Sequence, residues 1–310
     1  MELDDNEEHD DSLVEFIRTN PSSAISARYV KLLRTEEKEE CIMTMIENAA
    51  YQETWMSYFD YTENKGIVVS DEIAFEAVND VGLDPCSAPL WLRVIHLCSD
   101  DTKKRELFHL ALRLPLYQQY EIYKAYKSFE ADVAKSDEQT SNSCLAFSEV
   151  IPYTDILKNE PIWPDRFVNV ATCDELQRSN LCLQWNLLLP VLLDNCEKRD
   201  EFHDVNIRRA ELALRQLCSQ FAFEDVSWYV YATFVAVVMD DKKQASDILR
   251  RGKVTIANAS IGLCICDAVL NQLDHVGDKV EKQTVNYQLF LQRLYANTAN
   301  DSLQSRKRFP

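Results

Sequence analysis

Apolar residues along this chain recur at intervals of three and four, the helical period, rather than alternating. In "YEIYKAYKSFEAD", residues 120–132, Tyr123, Tyr126 and Phe129 stand three apart with Glu130 directly after. Residues at that spacing share one helix face, so these four side chains form a stripe that has to lie against another element. The stripe recurs in "WMSYFDYTE" as Trp55, Tyr58 and Tyr61, in "WLRVIHL" as Trp91, and in "WYVYATFV" as Trp228, Tyr231 and Phe234. Trp185 stands within another apolar run, "LCLQWNLLLPVLL".

The anchors are regularly spaced. From Trp55 to Trp91 is 36 residues and from Trp91 to Tyr123 is 32, which brackets the 34-residue period of helix–turn–helix repeats. Trp185 and Trp228 stand 43 apart, room for one longer loop. Between the anchors run second helices of another kind: "SDEIAFEAVNDVG", "DTKKRELFHLALRLP" and "DVNIRRAELALRQLCSQF". In "RELFHLALRLP", Phe108, Ala111 and Leu112 make the inward stripe, Ala111 permits close helix approach, and Pro115 stops the helix. Ser70 and Asp101 are expected N-caps, and Pro89 fits a first helical turn. Two helices cannot bury both their faces, so such pairs must stack on their neighbours. The expected fold is all-α: a TPR-like superhelix of about six to seven antiparallel helix pairs.

Several segments depart from the repeat. The opening "MELDDNEEHDD" holds seven acids in eleven residues, so residues 1–12 read as a disordered, solvated acidic tail. "SAISARYVKLL" and "KEECIMTMIENA" make the first pair, and "SNSCLAFSEVIPYTDIL" the second helix after Tyr120. The stretch "KNEPIWPDRFVNVATCDELQRSN" reads as a loop lying along the array, because Trp163 and Phe167 need cover from water. "NASIGLCICDAVLNQL" and "EKQTVNYQLFLQRLYA" would form a seventh pair before a basic tail at 297–310.

Composition narrows the function. Five glycines and nine prolines in 310 residues are too few for an all-β chain or a glycine-rich nucleotide loop. The ten cysteines form no CxxC pair, and Cys264 and Cys266, two apart, would point to different helix faces. No HExxH, GxSxG or Walker motif appears, so neither a metal nor a cofactor is expected, and no enzymatic role. The longest apolar runs extend about a dozen residues, short of the roughly twenty that span a bilayer. A net charge of −18 repels nucleic-acid backbones unless basic residues segregate, and the dense clusters are short: Arg208 with Arg209, "RRGK" with Arg250, Arg251 and Lys253, and "RKR" from Arg306 to Arg308. Protein partners are the default expectation, with Arg250, Arg251 and Lys253 as the candidate RNA contacts.

The pattern W/Y-x-x-Y-x-x-F/Y-E on first helices, with R-x-x-F/Y and a small residue on second helices, resembles the half-a-TPR (HAT) repeat of RNA-processing scaffolds; Tyr123, Tyr126, Phe129 and Glu130 match it best. The order "AFEAVNDVGLDPCSAPLWLRVI" followed by "LALRLPLYQQYEIYKAYKSFE" is similar to the suppressor-of-forked family, the large HAT subunit of cleavage stimulation factor. The likeness is clearest over residues 16–130. It implies a non-enzymatic nuclear scaffold in mRNA 3′-end cleavage and polyadenylation that docks protein subunits and meets RNA mostly through them. It also places a join near residue 224 between an N-terminal array, 13–223, and a second one, 224–296. Family members carry a longer second array that dimerises and a proline-rich tail; since this chain stops soon after "YQLFLQRLYANTAN", a monomer is expected. Other readings are a HAT scaffold of splicing or ribosomal RNA maturation and a direct RNA binder.

Overall fold

The computed structural model describes residues 4–33, 37–136, 145–170 and 172–256, and among these every regular element is a helix. In chain order they are α1 (Asp4–Thr19), α2 (Ala24–Tyr29), α3 (Lys38–Glu47), α4 (Gln52–Asn64), α5 (Asp71–Val81), α6 (Ala88–Leu97), α7 (Asp101–Leu112), α8 (Gln119–Ser136), α9 (Phe147–Lys158), α10 (Glu175–Glu197), α11 (His203–Gln220), α12 (Asp225–Val237) and α13 (Lys242–Thr255). The chain divides into two compact units, 1–167 and 168–310.

In the first unit, α2, α4, α6 and α8 pack in succession, and α3, α5 and α7 each pack on the helices before and after them or on the following one. Sequence periodicity explains the buried faces. In α5, Ala74, Ala77, Val78 and Val81 face inward at i, i+3, i+4 and i+7, and in α7 Leu107, Phe108, Ala111 and Leu112 face inward at i, i+1, i+4 and i+5, which also share one helix face. Local chemistry sets the ends. Ser70 caps α5 by accepting from the Ile73 N–H, as expected. The cap of α7 is Asp100, one residue before the expected Asp101; its carboxylate accepts from the Thr102 and Lys103 N–H groups. Gly66, at φ 66°, stops α4: its N–H meets the Glu63 carbonyl and the Ile67 N–H meets that of Thr62, a Schellman closure.

The second unit stacks α10 on α11, α11 on α12 and α12 on α13. The inward stripe of α13 is Ala245, Ile248, Leu249 and Gly252, again at helical spacing.

Four expectations need correction. The acidic opening is not a tail throughout, since α1 begins at Asp4. Its later turns carry Leu13, Val14 and Ile17, buried against Ala27, Val30, Cys41, Ile42 and Met45, so three helices, not two, open the array. The boundary between compact units lies at 167/168, not near 224, where α11 and α12 pack closely across the turn. Finally, α10 starts at Glu175, inside the segment read as loop, because Asp174 and Gln177 form a reciprocal capping box. The expected seventh pair, Cys264, Cys266 and the basic tail lie outside the described residues.

Candidate functional site

The signature residues are distributed through the interhelical seams. Trp55, Trp91, Phe108, Ala111, Tyr126, Glu130, Trp185, Trp228, Tyr231 and Phe234 are buried, while Tyr58, Tyr61, Tyr123 and Phe129 are half-buried. A buried indole needs an acceptor for its N–H. Each of the four repeat tryptophans finds one near a helix end: Trp55 on Asp80 (3.0 Å), Trp91 on the Gly82 carbonyl (2.9 Å), Trp185 on Gln220 (2.7 Å) and Trp228 on the Ala222 carbonyl (2.8 Å). The ring fills the seam and its N–H fixes the register of a neighbour.

The α7–α8 seam shows what the glutamate of the stripe does. Arg105 of α7 grips Glu130 of α8 with two bonds, Nε to Oε1 at 2.6 Å and Nη2 to Oε2 at 3.2 Å. Its guanidinium also lies 5.6 Å from the centre of the Phe129 ring, and Phe108 packs on both Tyr126 and Phe129. The Tyr126 hydroxyl stands 3.2 Å from His109 Nε2 and accepts the Leu145 N–H at 3.2 Å, while the Tyr123 hydroxyl donates to the Leu145 carbonyl at 3.3 Å. Two stripe tyrosines thereby hold the backbone that enters α9. Burial, then the nearby Arg113 charge, lowers the His109 pKa.

The arrangement richest in charge is one the sequence pattern did not single out. Residues 161–167 form a strap over the turns preceding α4 and α6. Trp163 is buried, and Arg166 Nη1 bonds both oxygens of Glu53 (3.1 and 3.2 Å) while its Nη2 bonds Asp84 Oδ1 at 3.1 Å. Phe167 packs against Ala24, Ala50 and Tyr51, under the Arg28 guanidinium at 3.3 Å from its ring centre. Asp84, itself buried, also accepts the Cys86 N–H, and Gln52 Nε2 donates to the Cys86 carbonyl, so the two turns are tied to each other beneath the strap. Burial raises the Glu53 pKa, with Arg166 opposing and Asp84 adding to the rise. Burial works against the Arg166 charge, but Asp84 and Glu53 outweigh it and its pKa is raised. The expected cover over Trp163 and Phe167 is thus present, and Arg166 is its pin.

The candidate RNA contacts sit on α13. Arg250 and Arg251 are exposed and Lys253 is half-buried, and Arg250 is paired one turn back with Asp247 at 2.8 Å. Of the other basic doublet, Arg209 is fully buried in α11, because the inward stripe of that helix passes through it; it is core, not surface.

Among the described residues, no group of three or more His, Cys, Asp or Glu side chains could hold a metal ion, and no helix is long and apolar enough to cross a membrane. Burial pushes the thiols of Cys86 up to about 11 and of Cys196 and Cys218 up to about 12, which keeps them protonated and poorly nucleophilic at neutral pH. A cavity of about 310 Å³ beside α9 is lined by Leu112, Arg113, Leu145, Glu149, Val150 and Tyr153, a set without a serine, cysteine or lysine nucleophile.

No protein-family model and no curated protein sequence matches the chain. Among solved structures it is similar to a crystal structure of CstF-77, a HAT-repeat protein, with a TM-score of 0.51 at 14% identity; the match covers 90% of this chain and 66% of that one. At that identity the likeness speaks for the fold: a helical repeat protein of the HAT kind.

Proposed function

We propose that this protein is a non-enzymatic nuclear scaffold of pre-mRNA 3′-end cleavage and polyadenylation, docking other protein subunits through its helix pairs. The reading is carried by one observation: the HAT-like stripe of α8 is used as a seam, with Tyr126 buried and Glu130 clasped by Arg105, in a fold resembling that of CstF-77. Its partners are other subunits of that machinery, and RNA reaches the assembly mainly through them.

Affinity purification of the tagged full chain, followed by mass spectrometry, tests this. Co-elution of cleavage and polyadenylation subunits is the expected result. Recovery of splicing or ribosomal RNA maturation subunits instead would transfer the protein to another HAT assembly.

A further inference from the structure

The strap is built like a ligand in a site. Its residues alternate between three kinds of contact: Trp163 is buried, Arg166 enters a cleft between two carboxylates, and Phe167 is held between apolar side chains and the face of Arg28. The floor belongs to three successive repeats, with α2 giving Ala24 and Arg28, the turn before α4 giving Ala50 and Tyr51, the first turn of α4 giving Glu53, and the turn before α6 giving Asp84.

The charges say what the floor selects. Glu53 and Asp84 converge on one guanidinium, and the Asp84 side chain is only 2% exposed. A planar fork that gives Nη1 to one carboxylate and Nη2 to another is the geometry of arginine and not of lysine, whose ammonium is a point charge. With the strap lifted, two carboxylates would stand close together at a low-exposure site without that cation, a costly state that a second guanidinium would relieve. The Phe167 seat next to it adds an aromatic ring under Arg28, so a cation followed directly by a ring is read as one unit.

We propose that this floor is a binding site for an extended arginine–aromatic segment of a protein partner, and that residues 161–167 occupy it as an internal ligand. The strap competes from within the same chain, where its effective concentration is high, so a partner segment gains the site when the strap leaves it. The proposal rests on the scaffold reading only in looking for a protein partner; binding by the purified chain is decided independently of the assembly in which the protein is found.

The test uses the full chain carrying Arg166→Ala and Phe167→Ala, together with a fluorescent synthetic peptide of residues 160–167. Anisotropy should show the peptide binding to the emptied chain and far less to the unaltered one. Changing the peptide's arginine to lysine, or adding Glu53→Gln and Asp84→Asn to the emptied chain, should each weaken binding at least about tenfold. An emptied chain that keeps its helical circular dichroism and cooperative melt yet binds no peptide would overturn the proposal and leave the strap a plain structural clamp. Should that variant melt too readily to titrate, the single variant Arg166→Ala decides: methylguanidinium should raise its melting temperature and methylammonium should not. Equal effects of the two cations would likewise overturn the proposal.

Discussion

Tyr126 combines in one side chain the two demands a seam makes, apolar bulk and a satisfied polar tip. Its ring is fully buried against Phe108, and its hydroxyl meets both His109 and the Leu145 N–H. Tyr126→Ala, and equally Trp91→Ala, should cost about 3–5 kcal/mol in urea melts, the range for deleting a large buried ring. Losses under about 1 kcal/mol at both sites would show that neither ring is core. His109 makes the same seam pH-dependent. Folding lowers its pKa below 6.5, so the unfolded chain binds the proton more readily. The stability contributed is therefore complete above the ordinary histidine range and is lost as pH falls through the lower, folded value. Melts compared from about pH 7.5 down to about pH 5 should show this loss in the unaltered chain and a smaller one in His109→Gln.

At the scale of the element, packing and helix propensity make opposite predictions at one position. Gly252 lies inside α13, where alanine is the better helix former by about 1 kcal/mol. A Cβ there, however, would stand 2.7 Å from Trp228 Cγ and 2.9 Å from its Cβ, closer than atoms tolerate. Overpacking of this kind costs about 1–3 kcal/mol, so Gly252→Ala should destabilise the chain despite its propensity. A rise in melting temperature would mean that α13 can slide away from α12 without loss. Pro152 and Pro190 lie inside α9 and α10, where each lacks the backbone N–H that would continue the helix ladder.

For the whole molecule, charge is the governing quantity. At −18 net, with Arg209 buried and Arg250 already paired, the chain alone should bind single-stranded RNA weakly, and what binding there is should collapse as salt rises. Nor do the repeat tryptophans and Tyr126 offer a stacking platform, since they are committed to seams. Fluorescence anisotropy with U-rich and GU-rich oligonucleotides near physiological salt measures this. Tight, sequence-selective binding that disappears in Arg250→Ala with Arg251→Ala would make the protein a direct RNA reader.

What the sequence determined is the part of this structure written in local periodicity. Stripes at three and four, caps such as Ser70 and the recurrence of rings near every 34 residues are set by residues within a turn or a repeat of one another, and they were sufficient for an all-helical repeat fold. The capping box at Asp174 and Gln177 was equally local and could have been found, and the apolar stripe of Leu13, Val14 and Ile17 would have revealed α1 beneath its acidic composition. Arg166 offered no such signal. Its partners Glu53 and Asp84 lie 113 and 82 residues away, and one arginine between two prolines and a phenylalanine reads as an ordinary loop cation until the turns carrying those carboxylates come together. The burial of Arg209 and the unit boundary at 167/168 belong to the same class. Each depends on which surfaces meet, and contacts across that much chain are decided by the packing of whole helices, not by the identity of any neighbour in sequence.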